Sequence, residues 1–172
     1  MENVFNQYSY VVISLIVLLV SIVLLQRYGV NRRWIAGAAI GLIGISTAGQ
    51  FLLRPGSSDI DSVPAAQAAL ENGKPTFMEF FSNYCAGCLA LRPAVDLLVS
   101  DIQDNYNVLR IDIHSDFGRE LRQNLKFTYT PEFVLFDRSG QEVWRAHSLP
   151  PREEVYALAP EILASQIDKP QS

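Results

Sequence analysis

The 172 residues carry 14 Lys and Arg against 18 Asp and Glu, a net charge of −4, and 49% of them are hydrophobic. That length allows one ordinary domain of roughly 100–200 residues and an addition. From Ser57 onward there are 10 basic and 17 acidic side chains, a net of −7, and a part that acidic excludes nucleic acid as a partner because phosphate contacts need basic groups.

The addition is N-terminal. Residues 8–25 have no charge and are dominated by Val, Ile and Leu; residues 34–53 are again uncharged, with Gly and Ala mixed in. Each stretch meets the criterion of about 18 apolar residues for a transmembrane helix. A cleaved signal peptide would want a basic start and a small-residue cleavage site. Here the start is Met1-Glu2-Asn3, and Arg27-Tyr28 follows the first apolar run. Residues 1–56 are therefore expected to form a retained anchor of two spans. Arg27, Arg32 and Arg33 lie between the spans, which predicts a cytoplasmic tip, since basic loops stay inside. Both termini, and a domain of residues 57–172, then fall on the extracytoplasmic (periplasmic) side of a multi-pass protein of the cell (inner) membrane. A disulfide can persist there.

In the second span Gly37, Gly41, Gly44 and Ala48 share one helical face, where small side chains allow close backbone approach. The first span is the neighbour expected to fill it; a larger membrane complex is the alternative. Arg54-Pro55-Gly56-Ser57-Ser58-Asp59 reads as a linker. A helix is predicted over 63–70, ending at Asn72-Gly73, and a strand over Thr76–Phe81 leads through a short polar break to Cys85-Ala86-Gly87-Cys88.

The helix after the cysteines carries an apolar stripe of Leu89, Leu91, Val95, Leu98 and Val99, with Pro93 inside it to kink it. A strand over 108–113 and a helix over 117–125 follow. Phe127-Thr128-Tyr129-Thr130-Pro131 turns into a strand over 133–136, and Asp137-Arg138-Ser139-Gly140 forms a hairpin to its partner over 141–145. Pro150-Pro151 starts a last helix through Ile167, with Val155, Leu158, Ile162 and Leu163 facing the core. The order is β-α-β-α-β-β-α after a leading helix, an α/β sheet flanked by helices.

Cys85 and Cys88 are the only cysteines. A dithiol at a strand-to-helix junction can close into a small ring, and its natural chemistry is redox. Zinc normally wants four ligands, but His114 and His147 are far apart and lack paired spacing, so they read as surface residues and no metal site is expected. Haem attachment would need His after the second cysteine, where Leu89 stands. Asp112, Asp116 and Glu120 lack a calcium-loop spacing. Glu79 lies between apolar Met78 and Phe80, and alternation alone does not decide which sheet face it takes.

Taken together, Cys-x-x-Cys at the first βα turn, a proline inside the next helix and Thr130-Pro131 before a hairpin strand resemble the thioredoxin superfamily over residues 63–167. Glu79-Phe80-Phe81, Asp137-Arg138-Ser139-Gly140 and Leu149-Pro150 are similar to membrane-anchored thioredoxin-like proteins of cyanobacteria and chloroplasts, the cytochrome-assembly type. The resemblance implies a thioredoxin-like sheet, Cys85 as attacking thiol, Cys88 as resolving thiol and Glu79 as a buried proton acceptor. It also implies that Thr130 and a cis Pro131 hold a client chain beside Tyr84. A helix N-terminus independently favours a thiolate at Cys85.

Tyr84 stands where Trp is usual, Ala86-Gly87 replaces Gly-Pro, His147 replaces a glycine, and Glu132 replaces Thr, which would alter the rim that meets clients. The function implied is a membrane-tethered thiol–disulfide oxidoreductase acting on protein thiols and disulfides as a reductase, with the redox-active Cys85–Cys88 disulfide in place of a cofactor. Neither apolar span contains Cys, so such a reductase needs a separate membrane reductant. The alternative is a non-catalytic accessory subunit of a respiratory or photosynthetic membrane complex.

Overall fold

The computed structural model describes residues 4–160. A short helix α1 (Val4–Gln7) leads into α2 (Ser9–Arg27), and α2 runs antiparallel to α3 (Arg32–Leu53). Asn31 ends the intervening turn by accepting a hydrogen bond from the Arg33 N–H at 3.1 Å, a side-chain cap on α3. None of α2 is buried. Two long helices with apolar side chains turned outward suit a bilayer, which covers such a surface where water does not.

The face of α3 that meets α2 differs from expectation. A Cβ on Gly37, Gly41 or Gly44 would meet nothing within 4 Å, and Ala48 is exposed, so this small-residue face points away from α2. Contact runs instead through Ser46 and Gly49. The Tyr10 hydroxyl donates to the Ser46 carbonyl at 2.7 Å, and a Cβ on Gly49 would come within 2.9 Å of that hydroxyl.

The domain follows as α4 (Val63–Glu71), β1 (Thr76–Phe81), α5 (Ala86–Ile102), β2 (Asn107–Asp112), α6 (Asp116–Asn124), β3 (Glu132–Phe136), β4 (Glu142–Ala146) and α7 (Arg152–Leu158). The sheet order is β2-β1-β3-β4. β1 pairs parallel with β2, Glu79 opposite Arg110, and antiparallel with β3, Glu79 opposite Phe133. β1 is buried along its whole length, as a central strand covered on both faces must be, which is why it reads as an apolar run broken only by Glu79 after its opening Thr76.

One face carries Met78, Phe80, Leu109, Ile111 and Val134 under α4 and α6, whose Ala66, Phe117 and Leu121 complete the layer. The other carries Phe77, Phe133 and Leu135 under α5 and α7, with Val95, Leu98, Ile102 and Val155. α6 starts where Ser115 accepts from the Gly118 N–H at 3.0 Å. The chain turns so tightly there that a Cβ on Gly118 would lie 2.1 Å from the Asp112 carbonyl oxygen. The last described helix stops at Leu158, because Pro160 disfavours helical backbone at Ala159. The expected continuation through Ile162, Leu163 and Ile167 lies outside the described residues.

Candidate functional site

β1 delivers the chain to Ser82, whose carbonyl accepts from the Cys85 N–H at 3.2 Å, and α5 begins one residue later. Cys85 is the cap of that helix. Its backbone is extended, at φ −90° and ψ 122°, and its sulfur accepts from the Cys88 N–H at 3.4 Å. A helix start leaves N–H groups without helical partners, and a sulfur that fills this role is favoured as thiolate. The Cys88 thiol beside it acts most strongly. Burial opposes that influence, while Thr130 and the N–H groups of Cys88 and Gly87 reinforce it, and the Cys85 thiol comes down from the usual 9 to about 6. Cys88 moves the other way: burial first, then its hydrogen bond to Cys85 and the Cys85 charge, push its thiol far up. The two sulfurs are thus unlike: one is favoured as thiolate and the other as thiol.

Glu79 lies on the same sheet face as Phe77 and Phe81, the face that carries the cysteines and α5. It is 1% exposed. Burial raises its carboxyl from 4.5 to about 7, and the Arg110 guanidinium, donating to it at 2.8 Å, pulls against that rise. Arg110 also donates to Asp96 at 2.9 Å and lies 5.9 Å above the Phe81 ring. A carboxyl with a midpoint near neutrality can take up or release a proton at working pH.

Thr130 and Pro131 complete the mouth, joined by a cis peptide bond. The Thr130 carbonyl is 3.5 Å from the Cys85 sulfur, and a Cβ on Gly87 would lie 3.3 Å from the Pro131 ring. Tyr84 is 42% exposed and stacks on Tyr8 at 5.5 Å between ring centroids. The structure therefore gathers Tyr84, Cys85, Cys88, Thr130 and Pro131 around one sulfur, with Glu79 on the strand beneath. Both sulfurs are 1% exposed.

Glu132 departs from the expected rim position. It is 1% exposed and bonded to Arg145 at 2.9 Å and to the Thr128 hydroxyl at 3.0 Å, because a carboxylate beginning a covered strand finds its cation on the neighbouring β4. Neither histidine is a bystander. His114 bonds the Ser82 hydroxyl at 3.1 Å, and His147 stacks on Tyr129 and contacts the Pro131 carbonyl at 2.9 Å. The sequence signal for Arg110 is slight: it is the one cation in an alternating strand. No local pattern distinguishes the residues before α2, which also reach the site.

These features define a class: a thioredoxin-fold domain whose dithiol caps the helix after its central strand. The thioredoxin family profile matches residues 64–158, and the chain belongs to that family. Among relatives, the chain is 28% identical over 136 residues to thioredoxin-like protein HCF164, chloroplastic, of Arabidopsis thaliana, covering 76% of this chain and 52% of that protein. It is 29% identical over 84 residues to the thiol:disulfide interchange protein TxlA homolog of Synechocystis sp., covering 48% and 45%. The chain spans about half the length of the curated relatives it matches. A solved thioredoxin from Malassezia sympodialis shares the fold, with a TM-score of 0.50 and 17% identity, over 60% of this chain and 88% of that one.

Alkylation of reduced protein is expected to titrate Cys85 with a midpoint near pH 6 rather than the usual 9. The Cys88→Ala variant should move that midpoint upward, since Cys88 supplies the largest lowering influence. The sign for stability follows from the depressed value. The thiolate's contribution to the reduced fold is complete above pH 9 and disappears as pH falls through about 6. A midpoint unmoved by Cys88→Ala would contradict this account.

Proposed function

We propose that the protein is a membrane-tethered thiol–disulfide oxidoreductase that reduces protein disulfides on the extracytoplasmic face. The observation that carries the reading is the Cys85 sulfur capping α5 with its thiol held near 6, while Cys88 stays protonated one turn in. The Cys85 thiolate attacks one sulfur of a client disulfide. That S–S bond breaks, a mixed disulfide forms, and the client's other sulfur leaves as thiolate and takes a proton. Cys88 then gives its proton to Glu79 and attacks the Cys85 sulfur. The client's second sulfur departs, and the Cys85–Cys88 disulfide remains. Two electrons have passed to the client; its two thiolates are protonated by the Cys88 proton, passed on by Glu79, and by one proton from water. A dithiol donor in the membrane must return the electrons, because the described spans hold no cysteine.

The tethered arrangement is supported by where the helix ends meet the domain. The Tyr10 N–H donates to the Tyr84 carbonyl at 3.0 Å at the start of α2. At the end of α3, Arg92 donates to the Leu52 carbonyl at 3.1 Å and to that of Arg54, and the Gln50 amide donates to Asn83. Both contacts lie on one side of the hairpin, the side away from Arg32 and Arg33. Residues 1–56 are the anchor in this reading and 57–172 the catalytic domain, with Glu79, Cys85 and Cys88 catalytic and Tyr84, Thr130 and Pro131 holding the client.

The experiment is reduction of insulin disulfides by the full chain in detergent, with dithiothreitol as electron donor. Turnover that Cys85→Ser abolishes supports the reading; wild-type protein no faster than dithiothreitol alone overturns it. One observation favours the accessory-subunit reading, namely the near-complete burial of both sulfurs. Inertness towards insulin, with copurification of one membrane complex, would establish that reading instead.

A further inference from the structure

Residues just before and at the start of α2 lie against the mouth of the dithiol. The side-chain amide of Asn6 donates to the Thr130 carbonyl at 2.8 Å and accepts from the Thr130 N–H at 2.8 Å and from the Thr130 hydroxyl at 2.9 Å. A primary amide offers a donor and an acceptor side by side, as a peptide unit does, and it meets both backbone groups of Thr130 as an added strand would. Three residues on, the Ser9 hydroxyl accepts from the Ala86 N–H at 2.9 Å, the first free donor after Cys85. Between them the Gln7 carbonyl accepts from the Ser82 hydroxyl at 2.9 Å, and the Tyr8 ring covers Tyr84 and lies 5.2 Å from His114. The segment thus meets the Thr130, Ser82–Tyr84 and Ala86 sides of the mouth and bonds on either side of the Cys85 sulfur.

We propose that residues 6–10 are a built-in occupant of the client-peptide site, which keeps Cys85 covered until the domain moves off the start of α2. This rests on the oxidoreductase reading above, because only then is the covered groove a client site. The occupant is covalently continuous with the membrane helix, Ser9 being its first residue. Uncovering Cys85 therefore requires either unwinding of residues 4–8 or tilting of the domain relative to the hairpin. A client peptide competes for the Thr130 backbone groups, and a membrane partner that draws the hairpin away exposes the sulfur without touching it.

The test uses the reduced full chain in detergent micelles, with iodoacetamide as probe of Cys85 and hydrogen exchange of the Thr130 amide as a second measurement. Asn6→Ala is expected to speed alkylation about tenfold or more, the effect of two or three ordinary hydrogen bonds on an opening equilibrium. The Thr130 amide should be protected in wild-type protein and exchange faster in the variant by a similar factor. An unprotected Thr130 amide in the wild-type chain overturns the proposal whether or not the variant folds, and so does equal alkylation of a folded variant. Faster alkylation of Asn6→Ala with no insulin reduction by either protein would instead defeat the oxidoreductase reading and leave the cover standing.

Discussion

Cys88→Ala protein is expected to remain covalently joined to its clients through Cys85. In the proposed exchange Cys88, one helical turn from Cys85, resolves the mixed disulfide, and such an intramolecular group acts at an effective concentration far above that of any free thiol. Its removal should slow client release by a factor on the order of 10³ against millimolar external thiol. Attack slows too, because Cys88 is the main influence holding the Cys85 thiol near 6, but loss of the exit step dominates and adducts accumulate. Non-reducing gels followed by mass spectrometry of the adducts read this out. Several clients joined to Cys85 fit an exchange enzyme. Absence of adducts from Cys88→Ala cells, alongside intact purification with a single complex, contradicts it.

Arg110→Ala should produce the largest loss of stability. The guanidinium is the cation for a carboxylate with 1% exposure, and stripping one partner from a buried pair costs about 3–5 kcal/mol. The loss depends on pH in a stated direction. The Glu79 carboxyl lies at about 7 in the fold against 4.5 unperturbed, so its contribution to stability is complete below pH 4.5 and is lost as pH rises through about 7. Without Arg110 the carboxyl rises further, and the deficit should be wider at pH 8 than at pH 5. Denaturant titration at the two values measures it; an equal deficit at both would separate Arg110 from the Glu79 charge. The companion Glu79→Gln keeps shape and removes the proton acceptor. It should slow release of the mixed disulfide by about 10² while leaving its formation nearly unchanged.

The parts of this site visible in the sequence are those set by neighbours along the chain. The central strand is legible over Thr76–Phe81 as an apolar run ending in a polar break, and the helical pattern after the break puts the cysteines at a helix start. The direction of Glu79 was open, since a strand covered on both faces has no polar side to break the symmetry. The docking of α5 on the Phe77 face decides it. Glu132 reads as a rim residue along the chain because its cation is on another strand, where Val134 pairs with Arg145. Asn6 and Ser9 are ordinary polar residues before an apolar run, and their roles exist only once β3 and α5 are brought beside them. The small-residue face of α3 was legible as a stripe, yet nothing along the chain says towards which neighbour it turns.

Between Leu53, where α3 ends, and Val63, where α4 begins, lie the nine residues from Arg54 to Ser62. Gly56 in that stretch is clasped by the Asn83 amide, which donates to its carbonyl at 2.7 Å and accepts from its N–H at 3.0 Å. Even released and drawn out fully, nine residues extend about 30 Å. On the proposed reading, with the hairpin in a bilayer, the dithiol would be confined to a thin layer just above the lipid headgroups. The proposed exchange would then favour polypeptides that emerge from, or are themselves fastened to, the same sheet of lipid, and freely diffusing proteins would meet the dithiol only on touching that surface.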